Sequence, residues 1–275
     1  LASRSENCRR RGAYCQRDAP VMQAALAALA LPPDHLALLG LICFIAGLVR
    51  GFSGFALSAM VMASGALILP PVQLIPVCWW LEMTASLFML RGGWREANRK
   101  VALGLAIGST IGVPFGLALT TQVDVETSKL IALAVIASLA ALQLARVQLR
   151  FLASNWGLYG SGWMAGVATG LASVGGMVVA LYVLAQNAPP REMRASLVLF
   201  LFLGSVTTAL SLLAFGLMDR TAIARGLAMA GPAALGVILG QLSFIPRWEH
   251  FYKPFCLLLL LALASWGILR MIFGI

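Results

Sequence analysis

From His35 to its last residue the chain is a succession of long apolar runs separated by short polar links. One helix needs about 20 mostly apolar residues to cross about 30 Å of hydrocarbon, and several such runs follow one another. Composition agrees: 60% of the residues are apolar and 11% are Asp, Glu, Lys or Arg, against the roughly 25% charged residues of an average soluble domain. So few charges cannot coat a water-soluble fold, and the chain is read as an all-α polytopic membrane protein.

The formal charge of +10 does not point to nucleic acid, because the basic residues cluster between apolar runs, as at Arg91, Arg95, Arg99 and Lys100. That is how loops retained in the cytoplasm are marked. Cys43, Cys78 and Cys256 lie singly in apolar runs with no CxxC spacing, so neither a disulfide framework nor a zinc site is expected. His35 and His250 fall at run ends and are read as interfacial. The first 21 residues are polar and Arg-rich, and Met22 is taken as the natural start, with the tail before it as non-native sequence.

Apolar segments cover 35–49, 55–69, 76–90, 101–119, 129–145, 156–171, 174–185, 196–217, 226–242 and 255–273. The first two together would make a straight helix of about 52 Å at 1.5 Å per residue, too long for one crossing. A break is therefore expected at RGFSGF, residues 50–55, because glycine and serine weaken a helix. The stretch 156–185 has the same excess of length and its own cluster of Gly170, Ser173, Gly175 and Gly176. Gly47, Gly51 and the pair Pro70 and Pro71 lie in one register with Gly166, Gly170 and the pair Pro189 and Pro190, and Gly112 and Gly116 pair with Gly236 and Gly240 after a short loop insertion. The expected organisation is two homologous halves, each a glycine-broken helix pair plus three spanning helices. Residues 1–34 form the tail and leader, 35–146 the first repeat, 147–154 a linker and 155–275 the second repeat. Gly104, Gly108, Gly112 and Gly116 also carry the small-xxx-small spacing that lets membrane helices approach closely.

Each broken pair either crosses the bilayer or turns back as a re-entrant hairpin. Leaving out the buried Arg50, crossings divide the basic residues 14 to 5 and hairpins 10 to 9 when the tail is counted, but 9 to 5 and 10 to 4 when it is not; with Met22 as the start, the positive-inside rule favours hairpins. Hairpins leave three spans per half, an odd number, which makes the repeats inverted. The loops 91–100 and 189–194 are then expected in the cytoplasm and the C-terminus outside.

A glycine-rich break near the start of each half, a proline pair about 15 residues later and a Gly-x3-Gly helix make residues 35–273 resemble the TauE/SafE family of membrane transporters. The usual run of consecutive glycines is reduced here to GFSGF in the first half and to Gly175 and Gly176 in the second. The resemblance implies movement of sulfite, sulfoacetate or a related organosulfur oxyanion across the bacterial inner membrane, by alternating access between two pseudo-symmetric halves. An anion channel and an intramembrane enzyme are the competing readings.

Breaking a helix inside a membrane frees backbone groups that must line a cavity or find partners. A half-helix starting at such a break points free N–H groups and about half a positive charge at the cavity, which suits an anion. Ser53, Gly54 and Phe55 are the expected donors in one half, and Ser173, Val174 and Gly175 in the other, with Gly176 beside them as a further substrate-binding candidate. Arg50 at the first break is costly in the bilayer, which implies either a neighbouring anion or carboxylate or a side chain that snorkels to an interface. Glu82 is the one carboxylate well inside an apolar run, and it neutralises Arg50, carries a proton, or faces the cavity as a spectator. Thr169, which matches Arg50 in register, and Ser205 add hydroxyls able to bond an oxyanion. No P-loop, Rossmann glycine motif or nucleophile elbow occurs, so no cofactor and no catalytic or metal residue is expected. The expected partners are a small anion and lipid, with homo-oligomerisation left open.

Overall fold

A computed structural model describes residues 29–93, 97–145, 155–186, 190–243 and 249–273; the tail 1–21 and the linker 147–154 lie outside the described residues. Among these there are ten helices and no strands. They are α1 (Pro33–Ser53), α2 (Leu57–Gly65), α3 (Pro71–Gly93), α4 (Arg99–Gln122), α5 (Val125–Leu144), α6 (Asn155–Ala172), α7 (Gly175–Ala185), α8 (Pro190–Ala214), α9 (Arg220–Leu242) and α10 (Glu249–Phe273). Each expected apolar segment overlaps one of them. Asn98, Asp124 and Asp219 cap α4, α5 and α9 by accepting from the amides of Val101, Thr127 and Ala222, which satisfies one orphan donor at each start. The Thr127 backbone amide, and then its hydroxyl, hold the Asp124 carboxyl below its ordinary range.

Seven helices, α1, α3, α4, α5, α8, α9 and α10, are long and apolar enough to cross a membrane. The lipid-facing stripe of α4 shows why: Ile107, Ile111 and Phe115 are all more than half exposed on a helix with no aqueous partner for them. The chain is a multi-pass membrane protein.

Two sets of hydrogen bonds order the helix ends. Arg225, near the start of α9, donates to the carbonyls of Leu29 and Ala30 just before α1 and to Gln73 at the start of α3. The starts of α1, α3 and α9 therefore share one face of the bundle, the lower face. Asn98, at the start of α4, donates to Ser196 and Glu192 at the start of α8, so α4 and α8 both begin at the upper face. Because α3 starts where α1 starts, the α1–α2 pair returns to the side it came from. A descending α4 and an ascending α5 put the start of α6 at the upper face, where α8 also starts, so α6–α7 returns as well. Both broken pairs are hairpins, entering from opposite faces.

Close contacts agree with the reversal. A Cβ placed on Gly65, at the end of α2, would stand 3.5 Å from Leu39 Cδ1, early in α1, whereas a straight continuation would carry the two far apart. At the second tip a Cβ on Gly175 would collide with Thr169 Oγ1 and the Ala165 carbonyl, one to two turns back in α6. The reversals are made at Gly54 (φ 80°), Ala56 (φ 78°) and Ser173 (φ 58°), in the left-handed region that costs a non-glycine residue about 1–2 kcal/mol.

The arms are unequal, which the sequence does not suggest. α1 has 21 residues and α6 has 18, while α2 has 9 and α7 has 11. The long arms follow glycine seams. A Cβ on Gly108, Gly112 or Gly116 of α4, or on Gly162, Gly166 or Gly170 of α6, would meet backbone of the other helix, and the same holds for Gly47 and Gly51 of α1 against Gly236 and Gly240 of α9. Between lipid-immersed helices there is little hydrophobic driving force, so backbone approach and packing supply the association. Thr120 adds a hydrogen bond to the Gly170 carbonyl at 2.9 Å. The seams join helices far apart in the chain: α1 packs on α9 and α6 on α4. The short arm α2 lies inside the bundle, buried everywhere but at Ser64.

Candidate functional site

Arg50 stands in the last turn of α1 and is completely buried. A cation at mid-bilayer costs at least about 2.5–3.5 kcal/mol, so it needs an anion, and Glu82, the central residue of the 23-residue α3, supplies one. Arg50 Nη2 lies 3.0 Å from Glu82 Oε2, an ion-pair contact without the alignment of a hydrogen bond, and it also donates to Ser86 Oγ at 3.5 Å. Arg50 Nε and Nη1 are buried with no hydrogen-bond partner.

The other carboxylate oxygen turns to α2. Glu82 Oε1 accepts from Ser58 Oγ at 2.7 Å and from the Ser58 amide at 3.4 Å. Ser58 is in the first turn of α2, so Glu82 acts as a remote cap, placing its charge where orphan amides and the helix dipole favour one.

On its other side Glu82 borders a cavity with an empty volume of about 430 Å³, mouth included. Its wall is made by Trp79 and Glu82 of α3, Ser109 of α4, Thr169 of α6, Ser173 at the hairpin tip, Gly175 and Gly176 of α7, and Phe200, Leu201, Gly204, Ser205 and Thr208 of α8. Glu82, Ser109 and Ser205 lie near the middles of their helices, so the cavity is at mid-depth. The first two residues of α7 face it, and amides at that position have no acceptor within their own helix. The hydroxyls of Thr169 and Ser205 donate to the carbonyls of Ala165 and Phe202, satisfying their own helices as such residues often do in membranes. Trp79 Nε1 donates to the Ser205 carbonyl at 2.7 Å and ties α3 to α8.

The structure gathers Glu82, Thr169, Ser173, Gly175, Gly176 and Ser205 around one space. Arg50 lies behind Glu82 and not in the wall. Ser53, Gly54 and Phe55 are turned in on themselves: Ser53 Oγ donates to the Phe55 carbonyl and accepts from its amide, and the Gly54 amide donates to the Arg50 carbonyl. At the second tip the Ser173 and Val174 amides also donate back, to the Thr169 and Ala168 carbonyls, so neither is a free donor there; the tips differ in that the α2 start meets a carboxylate and the α7 start, at Gly175 and Gly176, meets the cavity. Ser58 and Ser86 were not singled out from sequence. Ser86 is one turn beyond Glu82 on the same helix face and was accessible to periodicity; Ser58 depends on the hairpin. Among the described residues no group of His, Cys, Asp and Glu could hold a metal ion.

Compared with known proteins, the chain matches no curated protein and no solved structure. The family model described as Sulfite exporter TauE/SafE matches residues 39–266, from α1 into α10. Such a match takes in both hairpins, the Arg50 and Glu82 pair and every residue of the cavity wall, and on it the chain belongs to the sulfite exporter TauE/SafE family, which consists of membrane transporters and not enzymes.

Proposed function

We propose that the protein carries a small sulfur oxyanion, such as sulfite, sulfoacetate or a related organosulfur anion, across the bacterial inner membrane. The reading rests on one observation above the others: the start of α7 opens into a mid-depth cavity with hydroxyl-bearing walls. Free amides at a helix start, with the dipole behind them, bind anions without needing a cation. The charge that borders the space, Glu82, is balanced by Arg50 at 3.0 Å. The test is thermal unfolding of the purified protein against sulfite, sulfoacetate, taurine, thiosulfate and simple carboxylates. A ligand at 100 times its Kd adds about 2.7 kcal/mol, and no response to any sulfur oxyanion would count against the cavity.

Two halves related as inverted repeats, residues 35–146 and 155–275, suit transport by alternating access. Helix pairs that enter from opposite faces and exchange glycine seams support this, because rocking one half against the other exposes a fixed central site to each side in turn. A channel would pass the anion only downhill, so accumulation of sulfite against its gradient in proteoliposomes separates the two.

The upper face, where α4 and α8 start, is assigned to the cytoplasm because its loops carry the larger share of basic residues. In a cysteine-free background, a cysteine at Lys100 is expected to be protected from an impermeant thiol reagent in intact cells and one at Glu126 to be labelled. The reverse pattern would invert the orientation.

A further inference from the structure

The guanidinium of Arg50 and the first turn of α2 together make an anion site, and an anion already occupies it. Glu82 reaches it from α3, with one oxygen on Arg50 and the other on Ser58. The fit is incomplete. A guanidinium presents five donors in a flat fork that suits an oxyanion held by two parallel bonds, yet Glu82 engages Nη2 alone, and Nε and Nη1 stay buried without a partner. Orphaned donors in a dry interior are rare and ask for a reason. Ser86 lies against the same guanidinium and is itself fully buried.

The matching half-helix start, that of α7, faces the cavity that Glu82 also borders. One carboxylate therefore separates two places that favour negative charge. We infer that Glu82 is a tethered occupant of a second oxyanion site, built from Arg50, Ser86 and the first turn of α2, and that the transported anion displaces it in passing. This rests on the reading of the cavity as the first site. As the side chain swings into the cavity, its carboxylate meets the amides of α7 that the oxyanion has just left, so anion and carboxylate exchange helix starts. An oxyanion with three oxygens then reaches the Arg50 donors that a tethered carboxylate, held by Ser58, leaves unused. The exchange makes and breaks only hydrogen bonds and ion pairs.

Isothermal titration of sulfite into the full chain, under anaerobic conditions, tests this. The parent is expected to bind one sulfite per chain and Glu82→Ala two, with the Arg50→Gln/Glu82→Ala double variant returning to one. Glu82→Ala that still binds one, with the parent's affinity, overturns the inference and leaves the cavity reading intact. A parent that binds none defeats the cavity reading; a single site gained in Glu82→Ala and lost with Arg50 still supports the second site. Should Glu82→Ala fail to fold, Glu82→Gln keeps the volume and loses the charge. Its melting temperature is expected to rise more steeply with sulfite than the parent's, and an equal rise overturns the proposal.

Discussion

Arg50→Gln is expected to destabilise the protein by about 3–5 kcal/mol, the cost of removing one partner from a buried pair. The size follows from what is left behind. Glu82 would keep Ser58 as a donor but lose its ion-pair partner, in the centre of a helix packed against α9, α8 and α2. Pairing saves stability only relative to the broken pair, because desolvating two charges offsets most of their attraction. The double change Arg50→Met/Glu82→Met should therefore be milder than either single one. Unfolding followed by intrinsic tryptophan fluorescence in detergent provides the comparison. If Arg50→Gln unfolds within about 1 kcal/mol of the parent, water reaches the pair and the account of a dry ion pair is wrong.

The second large effect is expected at the α4–α6 seam. A Cβ on Gly112 would run into the Trp163 carbonyl, and a backbone atom cannot rotate aside as a side-chain end can. Gly112→Val must push the two helices apart. Overpacking costs about 1–3 kcal/mol and occasionally more, and we place this substitution at the upper end because Val adds further carbons to the collision. Function should suffer beyond stability, since α6 carries Thr169 and leads into Ser173. Folded Gly112→Val is expected to lose its thermal response to sulfite. Gly40→Ala and Gly160→Ala are the matched controls. Neither position has an atom within 4 Å of the added carbon, and each gains from the roughly 0.8–1 kcal/mol by which Ala exceeds Gly in helix propensity. A Gly112→Val protein as stable as these controls would mean the helices do not touch there.

What the sequence determined by itself is local. Hydropathy over a window needs no knowledge of partners, so the ten apolar segments could be placed, and each coincides with a helix. The breaks at 50–55 and 170–176 were equally visible, because glycine and serine act on their own turn of helix and excess length forces an interruption somewhere. A charge in an apolar run is conspicuous for the same reason, so Arg50 and Glu82 stood out, but their pairing was one reading among several until the fold brought them to 3.0 Å. The glycines of the seams were also legible, but as two separate periodic stripes. Only the tertiary structure decided which stripe meets which: Gly47 and Gly51 of the first half rest on Gly236 and Gly240 of the second, and Gly166 and Gly170 on Gly112 and Gly116. Stripes of similar spacing are sterically interchangeable, so the pairing depends on the path of the whole chain. The same holds for the amides of the first tip. From sequence Ser53, Gly54 and Phe55 are free donors at a break; in the fold the left-handed turn at Gly54 and Ala56 folds those amides back on α1. It sets the start of α2 at Ser58, within reach of a carboxylate 24 residues further along the chain. Sequence places charges and breaks along a line, and the reversal of each hairpin decides which charge closes which helix start, leaving α7 to face the cavity.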